Sequence, residues 1–289
     1  MALTKNEWIA LEKKAAELRR LCLDTVHWAG SGHIGGAYSS MDILTLLYHK
    51  YLNFDPKNPT DDNRDRCVVS KGHIGIGIAP VFADLGLVDK EKLKTFNHTN
   101  SSLGIHLDKN KVKGLDASTG SLGHGQALAL GMVLAGRVKG QNFKAFVILG
   151  DGECNEGSVW EAAMATAHFK ATNLITIVDR NRMMIDGLTE EVMGLEPIAD
   201  KWTAFGFETI VVNGHDMPAL ALAIEKGLAA KDKPVCIIAE TVKGEGIDFI
   251  AGDYKWHYGA FDDDKYARGK VSLEEYAAKR LARAEKEGI

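Results

Sequence analysis

The chain opens with apolar residues three and four apart: Trp8, Ile9, Leu11, Ala15, Leu18, Leu21, Leu23 and Val26. That spacing predicts an amphipathic helix from about Asn6 to Ala29, and a second helical stretch runs from Ser40 to Tyr51. The period then changes. Short β-branched runs at Cys67–Val69, Ala145–Leu149, Leu174–Val178, Thr209–Val212 and Val235–Ala239 read as strands apolar on both faces. Helical patterns at Gly125–Arg137, Val159–Lys170 and Pro218–Ala230 separate the later ones. The alternation predicts an α/β fold, a doubly wound, mostly parallel sheet with helices on both faces. No Pro/Ser-rich linker or repeat divides the chain. We expect one domain over residues 1–289: a helical segment 1–60, an α/β core 61–260 and a C-terminal helix 261–289. Ser272 and Glu275 are the expected capping box of that charged last helix, read as a surface or packing element.

In such a sheet, ligands bind beyond the carboxyl ends of the strands. The segments that follow the strands here are SKGHIGIG, GDGECNEGS, DRNRMMIDG, NGHD and ETVKGEGID, rich in Gly, His, Asp and Asn. Chemistry is expected there. Composition narrows its kind. With 35 Lys and Arg against 39 Asp and Glu, the formal charge is −4, so no basic excess suits nucleic acid or an anionic membrane. No run approaches the roughly 18 apolar residues of a membrane span, and the charged N-terminus does not read as a signal peptide. Four scattered cysteines, Cys22, Cys67, Cys154 and Cys236, form no metal or disulfide pattern and fit a reducing cytoplasm.

The sharpest local signal is Gly150-Asp151-Gly152 directly after a strand, with Asn181 thirty residues on, after one helix and one further strand. Both residues therefore fall at strand ends facing one site. A hard divalent ion such as Mg²⁺ (or Ca²⁺ or Mn²⁺) takes about six oxygens and commonly keeps phosphates among them. The Asp151 carboxylate, the Asn181 amide oxygen, a main-chain carbonyl near Met183, two diphosphate oxygens and a water would fill that shell. Gly150 and Gly152 would let a diphosphate approach the backbone.

GDG, a spacer and Asn is the thiamine-diphosphate-binding motif, and the rest of the chain resembles the N-terminal half of transketolases. SGHIGGAYSSMDILTLLY, SKGH, LDASTGSLGHGQALALGMVLA, GDGECNEGSVWEAA, IVDRNRMMIDG, VNGHD and KGEGIDFIAGDYKWHYG follow in family order from about residue 15 to 260. The resemblance implies that Asp151, Asn181 and the carbonyl of Met183 hold the metal. It implies that His73, Gly150 and Gly152 meet the cofactor diphosphate, that Gly120 and Leu122 lie against the aminopyrimidine, and that Ile185 lies beneath the thiazolium ring. His33, His106 and His257 match the histidines around the reactive carbon and the sugar hydroxyls, His257 also touching the cofactor. Glu156, also among the residues expected to bind the cofactor, and Glu161 match acidic positions near a subunit interface. Imidazole suits this work, because a ketol transfer moves protons on and off sugar hydroxyls near neutral pH.

The sequence departs from the family pattern in three places: Ile34 replaces a Pro, His106 lies in GIHLD rather than GHPE, and His124 replaces a Gln. The His-Ile-Gly-Gly form resembles split transketolases, whose halves are separate chains. No segment here resembles the pyrimidine-binding domain, which supplies the glutamate that activates the cofactor. The resemblance therefore implies, as partner, a C-terminal transketolase subunit. It further implies an α2β2 heterotetramer, sugar phosphates as substrates and no activity from this chain alone. Open alternatives are the diphosphate-binding subunit of a 2-oxoacid dehydrogenase or deoxyxylulose-phosphate synthase-like enzyme, or a non-catalytic scaffold subunit. His27, His49, His98, His168 and His215 are expected to be packing or loop-bracing residues, and Cys154 to be no nucleophile.

Overall fold

A computed structural model describes residues 3–288; the ends of the predicted span, residues 1, 2 and 289, lie outside them. Five strands form one parallel sheet in the order β1-β2-β3-β5-β4: β1 (Arg66–Val69), β2 (Ala145–Gly150), β3 (Leu174–Arg180), β4 (Glu208–Asn213) and β5 (Val235–Glu240). In-register pairing aligns Gly150 with Asp179 and Arg180 with Glu240, so the functional loops leave the sheet along one edge.

Alternate residues of each strand divide between two cores. Cys67, Val69, Phe146, Ile148, Ile175, Ile177 and Ile237 join one core. It includes buried residues of α1 (Lys5–Ala29), α2 (Ile34–Ser39), α3 (Met41–Leu46), α4 (Gly75–Asp84) and α9 (Met217–Ala229). Val68, Val147, Leu149, Val178 and Ile238 join the other, with α5 (Gly125–Val138), α6 (Gly157–His168) and α8 (Ile198–Ala204). A single turn, α7 (Thr189–Val192), lies on the loop after β3. The doubly wound architecture expected from the alternating pattern is therefore present.

Three local expectations change. β4 is not covered on both faces: it is an edge strand, paired only with β5, and Val211 is 54% exposed. The helical stretch expected from Ser40 to Tyr51 is present, as α3 with Ser40 at its N-cap followed by a π-helical turn over Leu47–Tyr51, but a further short helix precedes it. That helix, α2, begins at Ile34, directly after His33, and the chain breaks at Ser40, where the Ser39 and Ser40 hydroxyls turn to the buried carboxylate of Asp179. The last helix, α10 (Asp263–Glu287), is capped by Asp262, not by Ser272 and Glu275. Ser272 lies inside it and uses its hydroxyl across to the 246–248 loop, accepting from the Asp248 N–H.

The segment after β1, expected to be a loop, is a single 3-10 turn followed at once by α4. Pro80 inside α4 cannot donate to the Ile76 carbonyl one turn back. The Cys22 thiol, reaching across from α1, donates to that carbonyl at 3.3 Å.

α10 is more than a surface element, because it lies along α1 and completes a buried charge cluster. Asp42 on α3 is fully buried, bidentate to Arg19 (2.7 and 3.0 Å), 3.3 Å from Arg280 and 2.8 Å from His215. Arg280 also binds Glu12, whose other partner is the Trp8 indole. Removing one member of such a cluster strands the others without water. Asp42→Ala should therefore lower unfolding stability by about 3–5 kcal/mol in urea titration; a loss below about 1 kcal/mol would show that the arginines find other partners.

Candidate active site

One cavity of about 390 Å³ opens at the carboxyl ends of β1, β2, β3 and β5. Its walls include His33, His73, Gly120, Leu122, Gly150, Asp151, Gly152, Glu156, Asn181, Met183, Ile185 and His257. Every site residue expected from the sequence is there except His106. That residue is exposed and lies beside Gly120, where a Cβ would come within 3.5 Å of its ring, and it is near enough to His33 and His73 for its charge to act on both. Ile185 lies at the rim and is 59% exposed. His124 is exposed at the start of α5 and makes no side-chain cap. Glu161 is exposed on α6.

Asp151 and Asn181 follow β2 and β3. Asp151 is nearly buried; one oxygen accepts the Gly152 N–H (2.8 Å), the other the Arg182 N–H (2.6 Å) and Arg180 (3.1 Å). Burial, reinforced by Asp179, outweighs the pull of Arg180 and holds its carboxyl above the usual range. The Asn181 amide nitrogen donates to Asp179 (3.2 Å), which leaves its oxygen facing the Met183 N–H. The Met183 carbonyl already accepts an ammonium, Lys243 Nζ, at 3.1 Å. Carboxylate, amide and carbonyl oxygens at one place are the donors a hard divalent ion takes. Among the described residues no group of three or more His, Cys, Asp or Glu forms an alternative metal cage.

Three imidazoles face one another above this floor. The ring centres of His33, His73 and His257 are 5.0–5.3 Å apart. An antiparallel bridge between Gly32 and Gly259 holds His33 and His257 on adjoining segments. Nδ1 of His33 is buried without a partner. Burial lowers all three pKa values, aided by Lys71 at His73 and by Lys243 at His257: to about 4 for His33, about 2 for His73 and about 3 for His257. All three are therefore neutral at physiological pH and offer acceptor nitrogens.

Several wall residues were not singled out from the sequence. Lys71 is buried and ion-paired to Asp179. Lys243, also buried, meets the Met183 and Met184 carbonyls and His257 Nδ1 (3.2 Å), and burial lowers its pKa to about 8. Glu153 accepts from Ser70 Oγ and from the N–H groups of Gly123 (2.8 Å) and Gly150 (3.0 Å). Both lysines lie inside motifs, SKGH and KGEG, whose glycines and histidines drew the attention. Gly72 is where that backbone packs closest, since a Cβ would fall 2.0 Å from the Thr119 carbonyl. Cys154 is buried, its thiol pushed well up by that burial, and is no nucleophile.

With this geometry in view, comparison with known proteins decides the family. Residues 11–279 match the family described as "Transketolase, thiamine diphosphate binding domain". The chain belongs to the transketolase family. It is 36% identical over 277 residues to an apulose-4-phosphate transketolase subunit of Phocaeicola vulgatus, covering 96% of this chain and 97% of that one. To the 6-deoxy-6-sulfo-D-fructose transketolase subunit SqwG of a Clostridium species it is 37% identical over 273 residues, covering 94% and 99%. Among solved structures, the transketolase of Campylobacter jejuni superposes with a TM-score of 0.83 at 30% identity, over 96% of this chain but 48% of that one. This transketolase-family chain thus corresponds to the N-terminal, thiamine diphosphate-binding part, spanning nearly all of the subunit relatives and less than half of that solved chain. No helix among the described residues is long and apolar enough to cross a membrane.

Each of the three rings titrates below the 6.5 of an ordinary imidazole, so between those values the unfolded chain binds more protons than the folded one. Stability is full above about pH 6.5 and is lost as the pH falls below it. The melting temperature of the ligand-free chain should drop between about pH 7 and about pH 5, and less so in His73→Gln. Equal drops in the two proteins would contradict neutral burial of that ring.

Proposed function

We propose that this chain is the diphosphate-binding half of a two-chain transketolase that moves a two-carbon ketol unit reversibly from a ketose phosphate to an aldose phosphate. One observation carries the reading. Oxygen donors, two buried lysines and a triangle of neutral histidines share one cavity, in a chain the length of its transketolase-subunit relatives. Asp151, Asn181 and the Met183 carbonyl would hold Mg²⁺, with Ca²⁺ or Mn²⁺ as substitutes. Gly150, Gly152, His73 and Lys243 would take the diphosphate, Gly120 and Leu122 the ring side, and Ile185 the rim beneath the thiazolium.

Thiamine diphosphate, when bound, supplies the nucleophilic carbon that carries the ketol unit. The chain's own residues do the rest. His33 and His257 hold and move protons at sugar hydroxyls: His33 keeps an unengaged Nδ1, while His257, whose Nδ1 accepts from Lys243, presents its Nε2–H. His106, beside Gly120, would join them at the substrate. Lys243 balances diphosphate charge, and the walls limit water at the reacting centre.

The glutamate that activates the cofactor would come from a C-terminal transketolase subunit, in an α2β2 assembly, with Glu156 and Glu161 toward the subunit contact. A cytoplasmic setting suits four buried, unpaired cysteines. The names of the relatives, which specify apulose 4-phosphate and a sulfofructose, favour testing sugars beyond the pentose phosphates.

Ketol transfer from xylulose 5-phosphate to ribose 5-phosphate, assayed with thiamine diphosphate and Mg²⁺, should appear only when this chain is mixed with a pyrimidine-binding partner chain. Activity from the chain alone would refute the half-site reading. In calorimetry, Asp151→Ala should abolish Mg²⁺-dependent cofactor binding, and unchanged affinity would sink the metal assignment.

A further inference from the structure

The NGHD segment that ends β4 contributes nothing to the cavity wall, yet its histidine has both ring nitrogens engaged. The His215 side chain is 10% exposed. Nδ1 lies 2.8 Å from the Asp42 carboxylate, and Nε2 accepts the Val242 N–H at 2.9 Å. A backbone N–H only donates, so Nε2 must present a lone pair, and the one proton of a neutral ring sits on Nδ1, donated to Asp42. Asp42 is itself fixed by Arg19 and Arg280. A chain of fixed groups therefore runs from the buried charge cluster, through one imidazole, to the Thr241–Val242 peptide, one residue before Lys243.

We propose that His215 is a positioning residue for the cofactor site. By accepting the Val242 N–H it fixes the Thr241–Val242 peptide, the start of the turn from which the Lys243 ammonium reaches the Met183 carbonyl and His257. The flanking residues are held elsewhere: Thr241 N–H on the Arg180 carbonyl (3.1 Å) and Gly244 N–H on the Gly35 carbonyl (3.0 Å). Between them the Val242 and Lys243 carbonyls accept the Glu245 (3.2 Å) and Gly252 (2.8 Å) N–H groups, and His215 supplies the side-chain anchor on the N–H side. Losing it leaves Asp42 with both arginines, so the effect falls on the loop more than on the cluster. The inference rests on the reading of this cavity as the thiamine diphosphate site.

In the cofactor-free chain, ¹⁵N shifts of the His215 ring should show the neutral Nδ1–H tautomer. His215→Phe should speed hydrogen exchange at the Val242 amide, erase the Lys243–His257 nuclear Overhauser contact and weaken Mg²⁺-thiamine diphosphate binding about tenfold. His215→Gln, which keeps one acceptor and one donor, should restore all three. A protonated Nε2 overturns the proposal. So does a His215→Phe protein with parental exchange and affinity, or one with faster exchange but an intact Lys243–His257 contact. Should His215→Phe fail to fold, the ring shifts and the Gln variant decide. If the parent chain binds no thiamine diphosphate, the cofactor reading fails, while exchange and Overhauser contacts still decide what His215 holds.

Discussion

One buried carboxylate, Asp179 at the end of β3, ties the cavity together. Its oxygens accept from Ser39 (2.6 Å) and Ser40 (3.1 Å) at the α2–α3 break, from Lys71 after β1, from Asn181 after its own strand and from Thr241 after β5. An unpaired buried charge is costly, so these donors and the Lys71 ammonium are conditions of its being there. Lys71, first among the attractive partners, keeps Asp179 ionised against the burial that would raise its pKa. Four chain segments distant in sequence are thereby fixed to one point, and each carries a cavity residue: His33 before α2, His73 after Lys71, Asn181 itself and Lys243 after Thr241.

Glu153 does similar work on the other side, gathering Ser70, Gly123 and Gly150, while the Ser70 hydroxyl accepts the Gly125 N–H at 3.0 Å. Glycine permits the closeness: a side chain at Gly35 would meet the Trp256 carbonyl at 2.6 Å and the Lys243 stem at 2.7 Å. The result is a preorganised cavity with oxygen donors on one wall, ammonium groups beside them and uncharged imidazoles opposite. Preorganisation of this kind is what electrostatic catalysis draws on. Folding energy, not ligand binding, holds the charged groups where an anionic cofactor would meet them.

Much of this was legible in the sequence. Strand runs dense in Val and Ile announced a two-sided sheet, and Gly150-Asp151-Gly152 with Asn181 marked two of its strand ends. Less legible were features fixed by tertiary partners. β-branched content did not reveal that β4 is an edge strand, because lateral order is decided by which strands pair. Ser272 and Glu275 matched a capping box, yet the residue that caps the helix is Asp262, ten positions before Ser272. The hubs Asp179 and Glu153, and the lysines Lys71 and Lys243, look like ordinary loop charges until the loops converge. His106 matched a motif position and lies beside Gly120, near His33 and His73, without lining the cavity itself.

If the site works as proposed, Asp151, Asn181 and the Met183 carbonyl form the oxygen-donor floor of a cofactor site. A crystal structure with thiamine diphosphate and Mn²⁺, recorded at a wavelength where manganese scatters anomalously, tests it most directly. One anomalous peak should stand in contact with those three oxygens and with the cofactor diphosphate, with Lys243 turned from the Met183 carbonyl toward the phosphates. A peak elsewhere, or a diphosphate bound away from Gly150 and Gly152, would contradict it.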